Sequence, residues 1–299
     1  MSSVAADDLP PAVVTEAVTR ALAEDLMAEG DLTAALVPEG AVAQFALRAR
    51  QPGVLAGRAC ATETFRQLSP GLPLIWHAAD GSVLEAGMTV MEVTGPLRPI
   101  LTGERTALNF LGRLSGIATL TARYVAAARA RNPVVQVLDT RKTTPGLRAL
   151  EKAAVKAGGG VNHRSSLSEA VLVKDNHLAG STITEAVARA RALWPGRLVQ
   201  IECDDLDQVV EAARAGADAV LLDNMDPAAV AVAVKTARAE APGPILTEVS
   251  GRVSVESIGE YAAAGPDRIS VGALTHSAPV LDLGLDLIWR ADSPQGEGD

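Results

Sequence analysis

The segment LVQIECDDLDQVVEAARAGADAVLLD, Leu198 to Asp223, decides the fold. Leu198 to Ile201 is a short β-rich run, and Ala219 to Leu222 is another. Between them, Leu206 to Ala215 reads as a helix that stops at Gly216, with the next strand starting two or three residues on. Two strands separated by a helix of this kind pair in parallel, as a βα unit. The rhythm continues outward on both sides. Val134 to Leu138 and Ala170 to Val173 lie upstream, and Ile245 to Val249 and Arg268 to Val271 lie downstream. Helical segments over Thr184 to Leu193, Pro227 to Glu240 and Val255 to Ala264 separate most of them. The string AGADAV, Ala215 to Val220, is echoed weakly by AGPDRI, Ala264 to Ile269. Repeated units of this length predict an α/β barrel, although periodicity alone leaves an open sheet possible.

The first third of the chain has a different texture. Pro11 to Met27 predicts an opening helix, with Val14, Val18, Leu22 and Leu26 on one face. From Gln44 to Val93, short alternating runs sit between turn signals at Pro52-Gly53, Pro70-Gly71 and Asp80-Gly81, with a helix over Cys60 to Leu68. This is a small α+β unit. A long helical segment follows from Gly103 to Arg131, with a break expected near Gly116. The polar tail from Ser293 to Asp299 is expected to be disordered.

Composition narrows the function. Aromatic residues are 3% of the chain, so the core rests on Ala, Val, Leu and Ile, and base stacking is excluded as a main mode of action. A net charge of −9 repels polyanions and argues against nucleic-acid partners. Cys60 and Cys203 form neither a disulfide framework nor a metal spacing. Met1 to Asp8 lacks the basic start and apolar run of a signal peptide, and no apolar stretch reaches membrane-spanning length. A cytoplasmic protein without membrane contact is the expectation.

Polar groups follow almost every β run at its C-terminal end, where α/β barrels build their active sites. They are Asp139 to Lys142, His163-Arg164, Lys174 to His177, Glu202, Asp223-Asn224, Ser250-Gly251 and Gly272. Arg141, Lys142, Arg164 and Lys174 suit a ligand with several negative groups. Glu202 and Asp223 suit a hard cation or sugar hydroxyls, and the Ser250-Gly251 and Val271-Gly272 turns can offer backbone N–H groups to a phosphate. Plainer readings stand beside these. Glu202 and Asp223 could cap helices; Asp204 and Asp205 are expected to cap the helix near Leu206. His77 reads as structural, and Arg148 and Lys152 either extend the basic pocket or are solvated. His163, His177 and His276 fit no common zinc spacing, and Cys203 has no evident base partner. A Schiff-base aldolase using Lys142 or Lys174 is a rival enzyme reading.

A set of motifs then adds a resemblance that covers nearly the whole chain. GDLT (Gly30 to Thr33), GVLAG (Gly53 to Gly57), ERTALNFLGRLSGIAT (Glu104 to Thr119), DTRKTTPGLR (Asp139 to Arg148) and KAAVKAGGGVNHR (Lys152 to Arg164) come first. VKDNH (Val173 to His177), Glu202, LDN (Leu222 to Asn224), EVSG (Glu248 to Gly251) and ISVGALTH (Ile269 to His276) follow in order. Together they resemble the quinolinate phosphoribosyltransferase family. The resemblance implies an N-terminal α/β sandwich domain over 1–115, joined by segment 277–299, and an incomplete seven-stranded α/β barrel over 116–276. It implies a homodimer, or an assembly of dimers, in which Arg105 crosses to the partner's site. Quinolinate would lie on Arg105, Arg141, Arg164 and Lys174, with His163 lining the pocket. Phosphoribosyl pyrophosphate would place its 5′-phosphate on Ser250, Gly251 and the Ser270-Val271-Gly272 turn. Lys142, beside Thr140, would meet the pyrophosphate, and Glu202 and Asp223 the ribose hydroxyls or a Mg²⁺ ion carried with the substrate. Lys142, Lys174, Glu202 and Asp223 are the implied catalytic groups of a reaction that makes nicotinate mononucleotide, pyrophosphate and CO₂ for NAD synthesis. The chain departs from the family at Arg252, where Ser-Gly-Gly is usual. A non-catalytic relative, the molybdenum-locus homologue, is the alternative; the intact Thr140, Arg141, Lys142, His163, Arg164 and Lys174 set argues against it. The related nicotinate enzyme handles one carboxylate, for which this set holds more cation than needed.

Overall fold

The computed structural model describes residues 9–291. The chain forms two compact units, each discontinuous in sequence. Of the described residues, the first takes 9–120, 144–159 and 278–291; the second takes 121–143 and 160–277.

In the first unit, helix α1 (Pro11–Leu26) buries Val14, Val18 and Leu22, three of the four positions that its periodicity marks. An antiparallel sheet holds β1 (Val42–Ala49), β3 (Leu74–Trp76), β5 (Thr89–Pro96) and β12 (Leu283–Ala291) in the order β12-β1-β5-β3. β2 (Gly53–Val54) and β4 (Val83–Leu84) make a separate short pair. Phe45, Leu47, Met91 and Val93 from the sheet pack with Phe65, Ile100 and Leu111 from helices. Helix α2 (Arg58–Leu68) starts two residues before the sequence expectation. The reason is Asp80, whose carboxylate accepts from Gly57 N and Arg58 N at 3.2 Å each and satisfies the helix start from a distant turn.

Helix α3 (Leu97–Arg129) corrects the sequence reading: it begins earlier than Gly103 and runs unbroken through Gly116. Gly116 is a close-approach glycine. A Cβ built there would lie 2.0 Å from the Pro279 carbonyl oxygen, so the missing side chain admits a returning segment. Helix α4 (Arg148–Ala157) also belongs to this unit. Its Glu151 is fully buried and accepts from Arg113 Nη2 at 2.7 Å, Thr144 Oγ1 at 2.7 Å and Thr144 N at 3.0 Å. Arg113 Nη1 also donates to Ala278 O at 3.3 Å. Thr144 and Ala278 are the residues at which the chain re-enters this unit, and one guanidinium bonds at both.

The second unit is the expected parallel sheet. It holds β6 (Gln136–Leu138), β7 (Val171–Val173), β8 (Val199–Cys203), β9 (Ala219–Asp223), β10 (Leu246–Ser250) and β11 (Arg268–Ser270) in the order β6-β11-β10-β9-β8-β7. Helices α5 (Asp175–Leu178), α6 (Ile183–Leu193), α7 (Leu206–Arg214), α8 (Pro227–Glu240), α9 (Ile258–Ala263) and α10 (Ala273–His276) follow the strands. The first strand of the unit pairs with the last. A parallel bridge from Leu138 to Val161 adds a seventh position, and among the described residues no pairing joins Val161 to β7. The barrel is therefore incomplete. β8 and β9 are buried along most of their length, as a parallel sheet covered by helices requires.

The AGAD/AGPD echo has a structural cause. Asp218 Oδ2 accepts from Val199 N at 2.7 Å, and Asp267 Oδ2 accepts from Thr247 N at 2.8 Å. Each aspartate follows a helix stop and receives an N–H near the start of the preceding strand. Each also binds an arginine from a helix, Arg191 at 2.8 Å and Arg238 at 3.1 Å. Among the described residues, no helix is long and apolar enough to cross a membrane.

Candidate functional site at the strand ends

The loop after β6 carries the densest chemistry. Asp139 is fully buried and accepts from His163 N at 2.9 Å. Thr140 Oγ1 accepts from Lys142 N at 3.0 Å and so shapes the loop. The Lys142 carbonyl accepts from Thr275 Oγ1 at 2.8 Å. A Cβ at Gly272 would come within 3.1 Å of both Lys142 Cδ and His276 Nε2, so the sequence-distant Lys142 meets the Gly272–His276 segment.

Arg141 and Arg164 stand side by side, half-buried. Arg164 Nη1 donates to Ala170 O at 2.9 Å. Burial first, and then the Arg141 charge, pull the Arg164 pKa below its ordinary value. Arg141 Nε is buried with no hydrogen-bond partner. Neither guanidinium pairs with a carboxylate among the described residues. Two cations drawn together out of water disfavour each other, and an anion placed between them removes that cost.

His163 Nδ1 accepts from Arg164 N at 2.7 Å, and its Nε2 lies 3.3 Å from Glu248 Oε1. Glu248 is fully buried on β10. Burial pushes its carboxyl up, but contacts with His163, Gln200 and Ser270 outweigh this, and the net shift is downward. Both ring nitrogens of His163 are thus engaged inside the unit.

Lys174 Nζ forms an ion pair with Glu202 at the ends of β7 and β8. The lysine faces a carboxylate rather than apolar surroundings, which is not the setting of a Schiff-base amine. Asp223 Oδ2 accepts from Asn224 Nδ2 at 2.6 Å. Neither acid caps a helix. That task falls to Asp205, accepting from Gln208 N at 2.9 Å, and Asp226, accepting from Ala229 N at 2.8 Å. Asp223 and Ser250 are register partners on β9 and β10. Gly251 has φ +126°, and a Cβ there would lie 2.8 Å from Asn224 Oδ1, so glycine alone fits this turn. Arg252 follows it, exposed. Ser270 Oγ donates to Val249 O at 3.2 Å, and Val271 is 1% exposed. Those two side chains serve the sheet, and Gly272 is the residue of that motif that lies beside Lys142.

Arg105 stands on α3 in the first unit, exposed, on the wall of a recess of about 210 Å³ shared with Asn109 and Arg113. Among the described residues, no three His, Cys, Asp or Glu side chains gather to hold a metal. Burial first, and then nearby acids led by Asp204, push the Cys203 thiol up to about 12, which removes it as a nucleophile. Sequence reasoning assigned no task to Gln200, Asn224 or His276, and read Glu248 only as part of a motif. Gln200 and Glu248 lie inside their strands, where local pattern does not distinguish them.

Two family models cover the chain: quinolinate phosphoribosyl transferase, N-terminal domain, over residues 31–115, and quinolinate phosphoribosyl transferase, C-terminal domain, over 117–286. The nicotinate-nucleotide pyrophosphorylase [carboxylating] of Mycobacterium leprae is 40% identical over 276 residues, 91% of this chain and 96% of that one. The human protein of the same name is 40% identical over 288 residues, 96% and 95% of the two chains. Among solved structures, the nicotinate-nucleotide pyrophosphorylase from Francisella tularensis superposes with a TM-score of 0.88 at 37% identity, covering 96% of this chain and all of that one. Human nicotinic acid phosphoribosyltransferase, at 15% identity and TM-score 0.57, shares the fold alone.

Proposed function

The chain belongs to the quinolinate phosphoribosyltransferase family, and on that premise we propose how its own residues carry the reaction. It joins quinolinate to phosphoribosyl pyrophosphate and releases nicotinate mononucleotide, pyrophosphate and CO₂, a step of NAD biosynthesis. The observation that carries the residue assignment is the Arg141–Arg164 couple, two adjacent cations with no carboxylate partner among the described residues and a buried Arg141 Nε without a hydrogen bond. Adjacent carboxylates on a pyridine ring supply charge and geometry for two guanidinium forks.

Arg141 and Arg164 hold the two carboxylates, and Lys174, steadied by Glu202, adds a third cation. The 5′-phosphate of the sugar lies on the backbone of the Ser250-Gly251 turn and at Gly272, while Lys142 meets the pyrophosphate. Asp223 and Glu202 take the ribose hydroxyls. The ring nitrogen attacks the anomeric carbon as the C–O bond to pyrophosphate breaks and its electron pair leaves with that group. The quaternised nitrogen then accepts charge from C2 as the 2-carboxylate departs as CO₂, and C2 takes a proton from solvent. Positioning and charge stabilisation supply the acceleration.

A divalent cation, Mg²⁺, accompanies the pyrophosphate. Glu202 and Asp223 are hard oxygen donors, and with no third ligand gathered among the described residues they would suit an ion held jointly by one or two carboxylates and substrate phosphates. When bound, the ion would supply charge neutralisation for the leaving pyrophosphate. The working unit is a dimer in which Arg105 completes the partner's quinolinate site.

Purified protein with quinolinate, phosphoribosyl pyrophosphate and Mg²⁺ should form nicotinate mononucleotide, followed by chromatography, with nicotinate as the control acid. Chelation of the metal should stop it. Mixing inactive Arg105→Ala and Arg141→Ala proteins should recover activity if sites are shared across a dimer. No product from a folded protein that still binds phosphoribosyl pyrophosphate would overturn the assignment.

A further inference from the structure

Glu248, like Asp139, is a wholly buried acid of the second unit, and the chemistry above leaves it without a task. It is wholly buried on β10, in register with Leu221 and Arg268 on the flanking strands. One carboxylate oxygen accepts from Gln200 Nε2 at 3.1 Å. The other has no aligned hydrogen bond but faces His163 Nε2 at 3.3 Å. A carboxylate taken fully out of water is costly, and an apolar residue of similar size would pack as well.

The His163 ring explains its retention. Nδ1 accepts the Arg164 backbone N–H at 2.7 Å. A backbone N–H can only donate, so Nδ1 carries no proton and the ring proton sits on Nε2, facing Glu248. The backbone N–H of His163 itself is tied to Asp139 Oδ1 at 2.9 Å. Arg164 is therefore held at its backbone by a ring whose tautomer is set from below, and at its guanidinium by the Ala170 carbonyl.

We propose that Glu248 is a positioning residue for quinolinate: acting through the His163 ring, it fixes Arg164 beside Arg141 for the substrate's carboxylates. This deepens the function proposed above and rests on it. Without an acceptor at position 248, the Nε2–H would lose the carboxylate it faces. Rotating the ring or moving its proton to Nδ1 relieves that, and either change gives up the bond to Arg164.

Two variants and one spectrum test this. Glu248→Leu removes the acceptor and keeps bulk; Glu248→Gln keeps an acceptor oxygen. In E248L the quinolinate KM should rise about 10-fold or more, the size expected when a donor loses a charged acceptor. Its phosphoribosyl pyrophosphate KM should move by less than about 3-fold, and E248Q should stay within about 3-fold on both, since each change is then under about half of a tenfold energy step. ¹⁵N spectra of the His163 ring should show Nε2 protonated in the wild type and in E248Q, and a changed pattern in E248L. A wild-type ring protonated on Nδ1 overturns the proposal, and this needs no variant to fold. So does a folded E248L with an unchanged quinolinate KM, or one in which both KM values rise equally. A wild type that makes no product sinks the function reading instead, while the ring spectrum still tests the His163–Glu248 contact.

Discussion

Replacing Arg141 with alanine separates binding from stability. The side chain leaves its buried Nε unbonded and disfavours the charge on Arg164, so the fold gains nothing from it that these contacts reveal. Removing it should leave the thermal midpoint unchanged or slightly higher. Binding should respond in the opposite direction. A guanidinium that grips a carboxylate through two charge-assisted hydrogen bonds loses about 1.5–3 kcal/mol for each one removed. Two such bonds correspond to about 10²–10⁴ in kcat/KM, at about 1.4 kcal/mol per factor of ten. The assay is kcat/KM for quinolinate at saturating phosphoribosyl pyrophosphate, with thermal unfolding run with and without quinolinate. In the wild type, quinolinate at roughly 100 times its Kd should add about 2.7 kcal/mol of stability. In R141A that increment should vanish while the unliganded midpoint holds. An R141A protein with kcat/KM within tenfold of wild type would refute the role in binding. A midpoint several degrees lower would refute the claim that the arginine pair is a cost to the fold.

Gly251→Ala should lower stability by about 1–3 kcal/mol in urea unfolding and weaken phosphoribosyl pyrophosphate binding, because φ +126° strains any side chain and the new methyl meets Asn224. Glu63, held by Arg66 first and also by Gln67, has its pKa lowered from 4.5 to about 2. A depressed carboxyl stabilises the fold above its unfolded value and loses that contribution as pH falls, so the stability gap between wild type and Glu63→Gln should narrow between about pH 5 and pH 2. Cys60 and Cys203 have thiols pushed up to about 12, mainly by burial. A disulfide reagent at pH 8 should leave both unmodified in folded protein and label both after unfolding; fast labelling of the native state would contradict their burial.

Much of this was legible in the sequence because the signals are local. The βα rhythm, the Pro227–Glu240 helix and the Asp205 cap depend on neighbours within a turn or two. The strand-end cations were legible for the same reason: a basic residue directly after a run such as Val171–Val173 is conspicuous. Long-range causes were not. Gly116 reads as a helix breaker, yet it serves a contact with Pro279 at the far end of the chain. Thr144–Gly159 falls within the 116–276 implied for the barrel, yet Glu151 fastens it to Arg113 in the first unit. Glu248 and Gln200 sit inside strands, where one polar residue in a β run says nothing about what it faces. Ser270 and Val271 entered through their motif, and only side-chain placement shows them turned into the sheet.

The strand order β12-β1-β5-β3 has a consequence for how the molecule is made. β1 is synthesised early and its neighbour β12 near the end, with all of the second unit between them. At ~5–20 residues per second on the ribosome, β1 waits on the order of ten seconds or more for that partner. Throughout that interval one edge of a strand rich in buried residues is unpaired, a template for wrong pairing between nascent chains. The second unit can pair its own strands first, so β12, emerging after it, completes a sheet begun before it.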